Sequence, residues 1–83
     1  MIIFDQIKEK INEKIKPESI ILIDNSAHHA KHKYFQKDKL HLKIIIKSKK
    51  LRDMNKILAH KEIFSILKKE MKNNIHALEI EIN

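Results

Sequence analysis

The apolar residues of this chain repeat with two different periods, and the order of those periods limits the folds that the chain can adopt. Ile7, Ile11 and Ile15 recur at steps of about 3.6 residues among charged residues, which predicts an amphipathic helix. Pro17 ends this helix, because the residue before a proline is disfavoured in the helical conformation. The first predicted element is therefore a helix.

Three later segments have the character of β-strands. Residues 20–23 form a short isoleucine-rich run, which predicts a buried strand. Residues 40–47 alternate between apolar and polar positions with a period of two. Residues 75–82 alternate in the same way, and the pattern places His76 on the same face as Leu78.

Two helices are predicted between the second and third strands, a short one over about residues 50–57 and a longer one near 58–72. The predicted inner stripe of the longer helix consists of His60, Ile63, Phe64, Leu67 and Met71. Asn73 and Asn74 end it, since asparagine tolerates the left-handed conformation that ends many helices. The order is αββααβ, which predicts an α+β fold in a single domain over residues 1–83.

Size and composition narrow the classes of function. A substrate pocket would consume much of the small core that 83 residues can build, so we expect no enzyme and no small-molecule substrate. The absence of cysteine is typical of an intracellular protein. No apolar stretch approaches the ~18 residues of a membrane span, and the first residues do not resemble a signal peptide. We therefore expect a cytoplasmic protein that is not bound to a membrane.

The net charge of +7 would attract nucleic acid or an acidic partner. Five basic residues fall on the two predicted helices and could form such a surface: Lys49, Lys50, Arg52, Lys56 and Lys61. A solvated lysine face explains the same residues, since the chain is generally rich in Ile, Lys and Asn. The absence of glycine excludes the Gly-x-x-Gly loop with which KH domains hold a nucleic-acid backbone.

Histidine is abundant, with six residues in the chain. His28, His29 and His32 fall in a polar segment, residues 25–39, that predicts a long loop, and such loops in compact domains are usually functional or disordered. Neutral imidazole is a common metal ligand. Because the chain has no thiolate, a site completed by sulfur needs a ligand from another molecule. Zinc held by the three loop histidines alone would be weakly bound.

Residues 26–32, 40–44 and 75–78 together resemble the motifs of one family, the BolA proteins. The first segment is similar to the family's Ser-x-x-His-x-x-His loop, the second to its Thr-His-Phe-x-Val strand, and the third to its Val-His-Ala-Leu ending. The resemblance implies a fold similar to class II KH domains, with a three-stranded mixed sheet packed against helices.

The resemblance also implies a function. BolA proteins paired with monothiol glutaredoxins share a 2Fe–2S cluster, for which the glutaredoxin supplies a cysteine and glutathione supplies a second thiolate. The chain would then be an adaptor in iron–sulfur cluster assembly, trafficking or iron sensing. The isolated protein is expected to hold no cofactor.

By match to the family motifs, the cluster ligands of this chain would be His29 and His76. His32 and His28 compete with His29, while His41 is a weaker candidate that we expect to support the loop. A structural histidine bonded to a backbone carbonyl is the alternative role for His76, and a core histidine is the expected role of His60.

The alternative function is that of a BolA-type DNA-binding transcriptional regulator that uses the basic helix-turn-helix-like segment. The chain departs from the family within that segment. Leu51, Asp53 and Ala59 stand where the family usually carries Phe, Gly and Arg. The lost Gly and Arg belong to the part associated with nucleic-acid contact, so they weaken this function more than metal binding.

Overall fold

The computed structural model describes residues 2–25 and 40–83. Their elements follow in the order α1 (Ile2–Lys14), β1 (Ser19–Asp24), β2 (Leu40–Lys47), α2 (Lys49–Arg52), α3 (Lys56–Ile66), α4 (Lys68–Asn73) and β3 (Ile75–Ile82). The predicted α+β class and αββααβ order are confirmed, with the long second helix divided at Leu67. Among the helices of these residues, none has the length and apolar character that crossing a bilayer requires.

The described strands form a three-stranded mixed sheet in the order β1-β2-β3, as predicted. β1 is antiparallel to β2, with Ser19 opposite Lys47 and Asp24 opposite Leu42. β2 is parallel to β3, with Ile46 opposite Ile82. A parallel pair needs a long crossover connection, which α2, α3 and α4 provide. The parallel pairing brings the starts of β2 and β3 to the same end of the sheet.

The hydrophobic core lies between the helices and one face of the sheet. Alternate residues of β2 point to that face, and Leu42, Ile44 and Ile46 are almost fully buried. The buried apolar residues form one cluster: Ile7, Ile11, Ile15, Leu42, Ile44, Ile46, Leu51, Ala59, Ile63, Leu67 and Ile75. The predicted stripe of α1 is confirmed, because Ile7, Ile11 and Ile15 all belong to this cluster.

The prediction that residues 20–23 form a buried strand is wrong as to burial. β1 is an edge strand of the described sheet, and the helical core covers only the face that carries Ile20 and Leu22. Ile21 and Ile23 point to the other face, where their side chains are 53% and 37% exposed. The apolar composition of residues 20–23 predicted the strand, but it did not show that the helical core covers only one face of that strand.

The boundary between α2 and α3 also differs from the prediction. The Ser48 hydroxyl accepts a hydrogen bond from the backbone N–H of Leu51 at the start of α2, and the Asn55 side chain accepts one from Ile57 at the start of α3. Ile57 and Leu58 therefore begin α3 instead of ending the short helix. A side chain that caps a helix fixes the residue at which the helix begins. Here the caps at Ser48 and Asn55, and not the spacing of the apolar residues, mark where α2 and α3 begin.

The inner stripe of α3 is shifted from the predicted one. Ala59 and Ile63 are fully buried, whereas Phe64 is 38% exposed and His60 is half-buried. Residues four apart share a side of a helix, so Ala59, Ile63 and Leu67 form the packed line and Phe64 is rotated away from it. The prediction that Phe64 and His60 belong to the inner stripe is wrong.

The first helix ends as predicted before Pro17, through a residue with left-handed backbone conformation. Lys16 has a φ of 54°. Its N–H donates to the carbonyl of Asn12 at 3.1 Å, which is the bond of a left-handed helix cap. Asn74, for which the left-handed conformation was expected at the end of α4, has a φ of −126°.

Replacing Lys16 with glycine should raise the free energy of unfolding by about 0.5–1 kcal/mol. Glycine adopts the left-handed conformation without the steric penalty that lysine incurs. Part of this gain is offset, because glycine loses more backbone entropy on folding. Urea titration followed by circular dichroism measures the change. Lys14→Gly is the matched control, and it should lower the stability by about 1 kcal/mol because Lys14 lies within the helix. A loss of stability in Lys16→Gly would contradict this account of the cap.

Candidate histidine site

Two histidines meet where β2 and β3 begin. The ring centroids of His41 and His76 lie 4.9 Å apart, and the ring planes are inclined by 44°. His41 is 9% exposed, whereas His76 is an exposed residue. The pair therefore presents one imidazole to the surroundings and supports it with a second, buried imidazole.

A bulge in β3 places His76 at this position. Leu40 is opposite Ile75, but the next residue of β2, His41, is opposite Ala77. His76 is therefore one extra residue in β3, and a bulge of this kind redirects a side chain out of the regular alternation. Ile75 remains buried in the core. The prediction that His76 shares the inner face with Leu78 is wrong for this reason.

His41 occupies the sheet face opposite the helical core. It lies on the side of β2 opposite Leu42, as predicted from the alternation. The N–H of Asn25 donates to the His41 carbonyl at 2.7 Å and joins the end of β1 to the start of β2. A small cleft of about 130 Å³ adjoins the ring, and its lining includes Asn25, Ala77 and Glu79.

The other predicted ligands belong to the segment between β1 and β2. His28, His29 and His32 lie outside the described residues, and so does the loop that His41 was expected to support. Within residues 2–25 and 40–83, no three His, Cys, Asp or Glu side chains are grouped to hold a metal ion. His60, half-buried on α3, therefore does not complete a site with His41 and His76.

The five basic residues proposed for a nucleic-acid or partner surface are all exposed, on α2 and α3. Two of them are engaged within the chain. The Lys50 ammonium lies 3.8 Å from a Glu62 carboxylate oxygen, and the Arg52 guanidinium donates to the Asn83 carbonyl at 2.8 Å. Glu62 offsets the charge of Lys50, and the hydrogen bond to Asn83 holds the Arg52 guanidinium, which keeps its charge, against the end of β3.

Arg52 and Lys56 also line an open groove of about 610 Å³ between α2 and the edge of β3. Glu79 and Glu81 line the opposite side of the same groove. Negative carboxylates beside the basic side chains make this groove unfavourable for phosphate groups.

Comparisons with known proteins agree with the fold and the motifs described above. The sequence model of the family described as BolA-like protein matches residues 11–83. The chain belongs to the BolA-like family. The resemblance noted in the loop and strand motifs is thereby confirmed, and members of the family are generally regulatory or adaptor proteins rather than enzymes.

Of two curated relatives of this BolA-like chain, one has a name that states a function and the other has a name that states none. "Protein BOLA1, chloroplastic" from Arabidopsis thaliana is 30% identical over 78 residues, covering 90% of this chain and 49% of the relative. The "DNA-binding transcriptional regulator BolA" of Haemophilus influenzae is 28% identical over 76 residues, covering 92% of this chain and 71% of the relative. The chain thus spans about half of the length of the Arabidopsis protein.

Solved BolA structures share the fold. The BolA domain of SufE1 from Arabidopsis thaliana superposes with a TM-score of 0.80 at 26% identity, covering 95% of this chain and 87% of that one. BolA1 from the same plant gives a TM-score of 0.79 at 28% identity with the same coverage. The αββααβ order and the mixed sheet of this BolA-like chain therefore match solved members of its family.

Proposed function

We propose that this BolA-like protein is an adaptor in iron–sulfur cluster assembly, trafficking or iron sensing. In this proposal it co-ligates a 2Fe–2S cluster together with a monothiol glutaredoxin and glutathione. The observation that supports it most strongly is the exposed His76 imidazole, which the bulge in β3 turns away from the core and which packs against His41.

The donor chemistry of the chain fits such a shared cluster. The chain has imidazoles but no cysteine, and the described residues group fewer than three candidate ligands. A partner would therefore have to supply the thiolates. Two imidazoles on one iron and thiolates on the other is a known arrangement, found in Rieske centres, where it raises the reduction potential.

Each histidine has a separate role in the proposal. His76 offers a ring nitrogen to the cluster, and its exposure allows a partner protein to approach. His29 is proposed as the second ligand, with His32 and His28 as the alternatives in the loop. His41 would limit the orientations of the His76 ring, because buried neighbours of a ligand fix its direction. The bound cluster would be cargo that passes between proteins.

Anaerobic reconstitution tests this function. A monothiol glutaredoxin is loaded with a cluster in the presence of glutathione, and visible absorption and circular dichroism are recorded with and without this protein. The wild type should change the visible dichroism, and His76→Ala should abolish the change. His60→Ala is the matched control, since His60 lies on α3, and it should behave like the wild type.

Two results would contradict the proposal. The glutaredoxin spectrum could be indifferent to the wild-type protein, or His76→Ala could change the spectrum as the wild type does. Parallel His28→Ala, His29→Ala and His32→Ala variants identify the loop ligand, and we expect His29→Ala to have the largest effect. The spectral change should weaken as the pH falls, because a protonated imidazole does not bind metal.

A second candidate function, DNA binding, is supported by the printed name of the Haemophilus relative and by the exposed lysines of α2 and α3. Binding through phosphate contacts should weaken steeply as the salt concentration rises. We place this function second because Lys50 and Arg52 are engaged within the chain and the groove beside Arg52 carries two glutamates.

A further inference from the structure

Helix α3 carries apolar side chains on the side that faces away from the core. Ile57 is 68% exposed, Leu58 is 54% exposed and Phe64 is 38% exposed, whereas Ala59 and Ile63 on the other side are fully buried. Residues three, four and seven apart lie on one side of a helix, so Lys61 lies between Ile57 and Phe64 and next to Leu58. We call these four residues (Ile57, Leu58, Lys61 and Phe64) the α3 outer patch.

The patch departs from the usual pattern of a surface helix. A helix that packs one face into a core normally presents polar residues on the other face. Single exposed apolar residues need no explanation, but a contiguous group often marks an interaction site. Three of the six large exposed apolar residues in the described ranges belong to this one patch. The lysine at its centre extends the apolar surface, since the stem of lysine is aliphatic.

Two exposed lysines lie along the apolar side chains of the patch. Lys61 is central, and Lys68, the first residue of α4, follows four residues after Phe64. Lys56 is also exposed, but it lies three residues before Ala59 and seven before Ile63, on the other side of α3. Glu62, four residues after Leu58, is paired with Lys50. Among the ion pairs of the described residues, none involves these three lysines, whereas Lys10, Lys43, Lys47 and Lys50 each lie within 3.8 Å of a glutamate. Within residues 2–25 and 40–83, Lys61 and Lys68 are therefore not paired with a carboxylate.

From the apolar centre and the two lysines along it, we infer that the α3 outer patch binds an amphipathic acidic helix of a partner protein. Apolar side chains of the partner would cover Ile57, Leu58 and Phe64, while its Asp or Glu residues would pair with Lys61 and Lys68. The patch extends about 10 Å along the axis from Ile57 to Phe64, so two to three turns of a partner helix cover it.

Two other occupants fit the surface less well. A DNA duplex would pair its phosphates with the lysines, but phosphates placed against Leu58 and Phe64 would lose water without gaining a hydrogen-bond partner. A second copy of this chain, placed patch to patch, would bring Lys61 against Lys61, and like charges at an interface oppose association. Complementary charge and an apolar centre together favour an acidic protein segment.

This surface is distinct from the histidine site. The side chain of His41 lies on the sheet face opposite the helical core, whereas α3 packs on the core face and its outer patch points further away from the sheet. A partner on the α3 outer patch therefore leaves the His41–His76 pair accessible. The inference stands whether or not the pair ligates a cluster.

Peptide binding to the full chain tests the inference. The probe is a fluorescein-labelled helical peptide of about five turns, with leucines along one face and glutamates beside them. A second peptide carries the same leucines with lysines in place of the glutamates. Fluorescence anisotropy should show binding of the glutamate peptide and at least about tenfold weaker binding of the lysine peptide.

Variants of the patch and a matched control locate the binding. Leu58→Gln combined with Phe64→Gln should weaken the binding of the glutamate peptide by at least about tenfold. Lys61→Glu should weaken the binding of the same peptide and reduce the dependence of that binding on salt. Both substituted apolar side chains are exposed, and far-ultraviolet dichroism confirms that the variant is folded. Ile2→Gln is the control, because Ile2 is 78% exposed on α1, and it should bind like the wild type.

Four outcomes would overturn the inference. The two peptides could bind equally well, or the double variant could bind the glutamate peptide like the wild type. The double variant could instead lose binding to a labelled DNA duplex that the wild type binds, which would assign the patch to nucleic acid. Finally, sedimentation could detect a dimer of the wild type that the double variant abolishes, which would assign the patch to a second copy.

Discussion

Replacing Ile44 with alanine should lower the free energy of unfolding by about 3 kcal/mol, within the usual range for emptying a fully buried aliphatic site. Ile44 is 0% exposed in the central strand of the described sheet, between Leu22 of β1 and Ile80 of β3. The lost methyl and methylene groups would leave a cavity, because neighbours in two adjacent strands are held by backbone pairing.

The effect is large relative to the stability of such a domain. A chain of 83 residues is expected to have a free energy of unfolding of about 4–12 kcal/mol. Ile44→Ala should therefore shift the urea midpoint strongly.

Ile45→Ala is the matched control, since it makes the same change in the next residue of the same strand. Ile45 lies on the sheet face opposite the core, is only partly buried and is opposite Ile21 and Glu81. Its loss should be about 1 kcal/mol or less, in proportion to the smaller apolar area that it buries. Equal losses in the two variants would show that the helical layer does not form the main core.

Replacing Lys10 with methionine should lower the free energy of unfolding by about 2 kcal/mol. The Lys10 ammonium lies 2.6 Å from Oε2 of Glu70, and the Glu70 side chain is only 5% exposed. Removing the lysine leaves a buried carboxylate without its cation. The loss should be smaller than that of a fully buried pair, because the Lys10 side chain is 40% exposed.

A double variant separates the value of the ion pair from the cost of an unpaired charge. The second oxygen of Glu70, Oε1, is buried and has no hydrogen-bond partner among the described residues. Lys10→Met combined with Glu70→Leu should therefore restore the stability to within about 1 kcal/mol of the wild type or exceed it. Chemical denaturation of the two single variants and the double variant completes the cycle.

Lys50→Met provides the control for the ion pair. Lys50 and Glu62 lie 3.8 Å apart, and their side chains are 53% and 40% exposed. An exposed pair of this kind contributes from nothing to about 1 kcal/mol, so this variant should remain close to the wild type. If Lys10→Met lost no more than Lys50→Met, the burial of Glu70 would have no energetic consequence.

The period of the apolar residues predicted the helices and strands that have one face on the core and the other face away from it. Ile7 and Ile11 repeat at the helical period and are buried, and the alternation of residues 40–47 predicted the face of β2 that meets the core. The starts of the second and third strands were predicted to within a residue, because the polar and asparagine-rich segments before them interrupt the apolar pattern. These features depend on local sequence, and the family resemblance supplied the topology that joins them.

The features that depend on pairing between distant segments were missed. Nothing in residues 75–82 alone signals an extra residue, since the bulge exists only relative to the register of β2. The exposure of Phe64 depends on where Asn55 starts α3, and the burial of Glu70 depends on Lys10, which is 60 residues away. The sequence signal for the burial of Glu70 was its spacing, because this carboxylate follows Ile63 and Leu67 on the same side of the helix.

The contact between His41 and His76 was also missed, although each residue was examined. Both follow the first residue of a strand, and parallel strands start at the same end of a sheet. Together with the predicted mixed sheet, the positions of the two histidines were sufficient to predict that their rings lie close together. His41 was instead predicted to support the loop, because the sequence of one strand does not show which residue of another strand lies beside it.

The bulge in β3 separates two requirements that a regular strand would impose on a single residue. Ile75 and Leu78 satisfy the packing, and His76 is left outside the alternation with an exposed side chain. Position 76 therefore lies outside the packed core, and the ring of His76 contacts His41. A substitution there would change the surface chemistry at the start of β3 and remove a ring contact of the buried His41, while the core between the sheet and the helices would stay as it is.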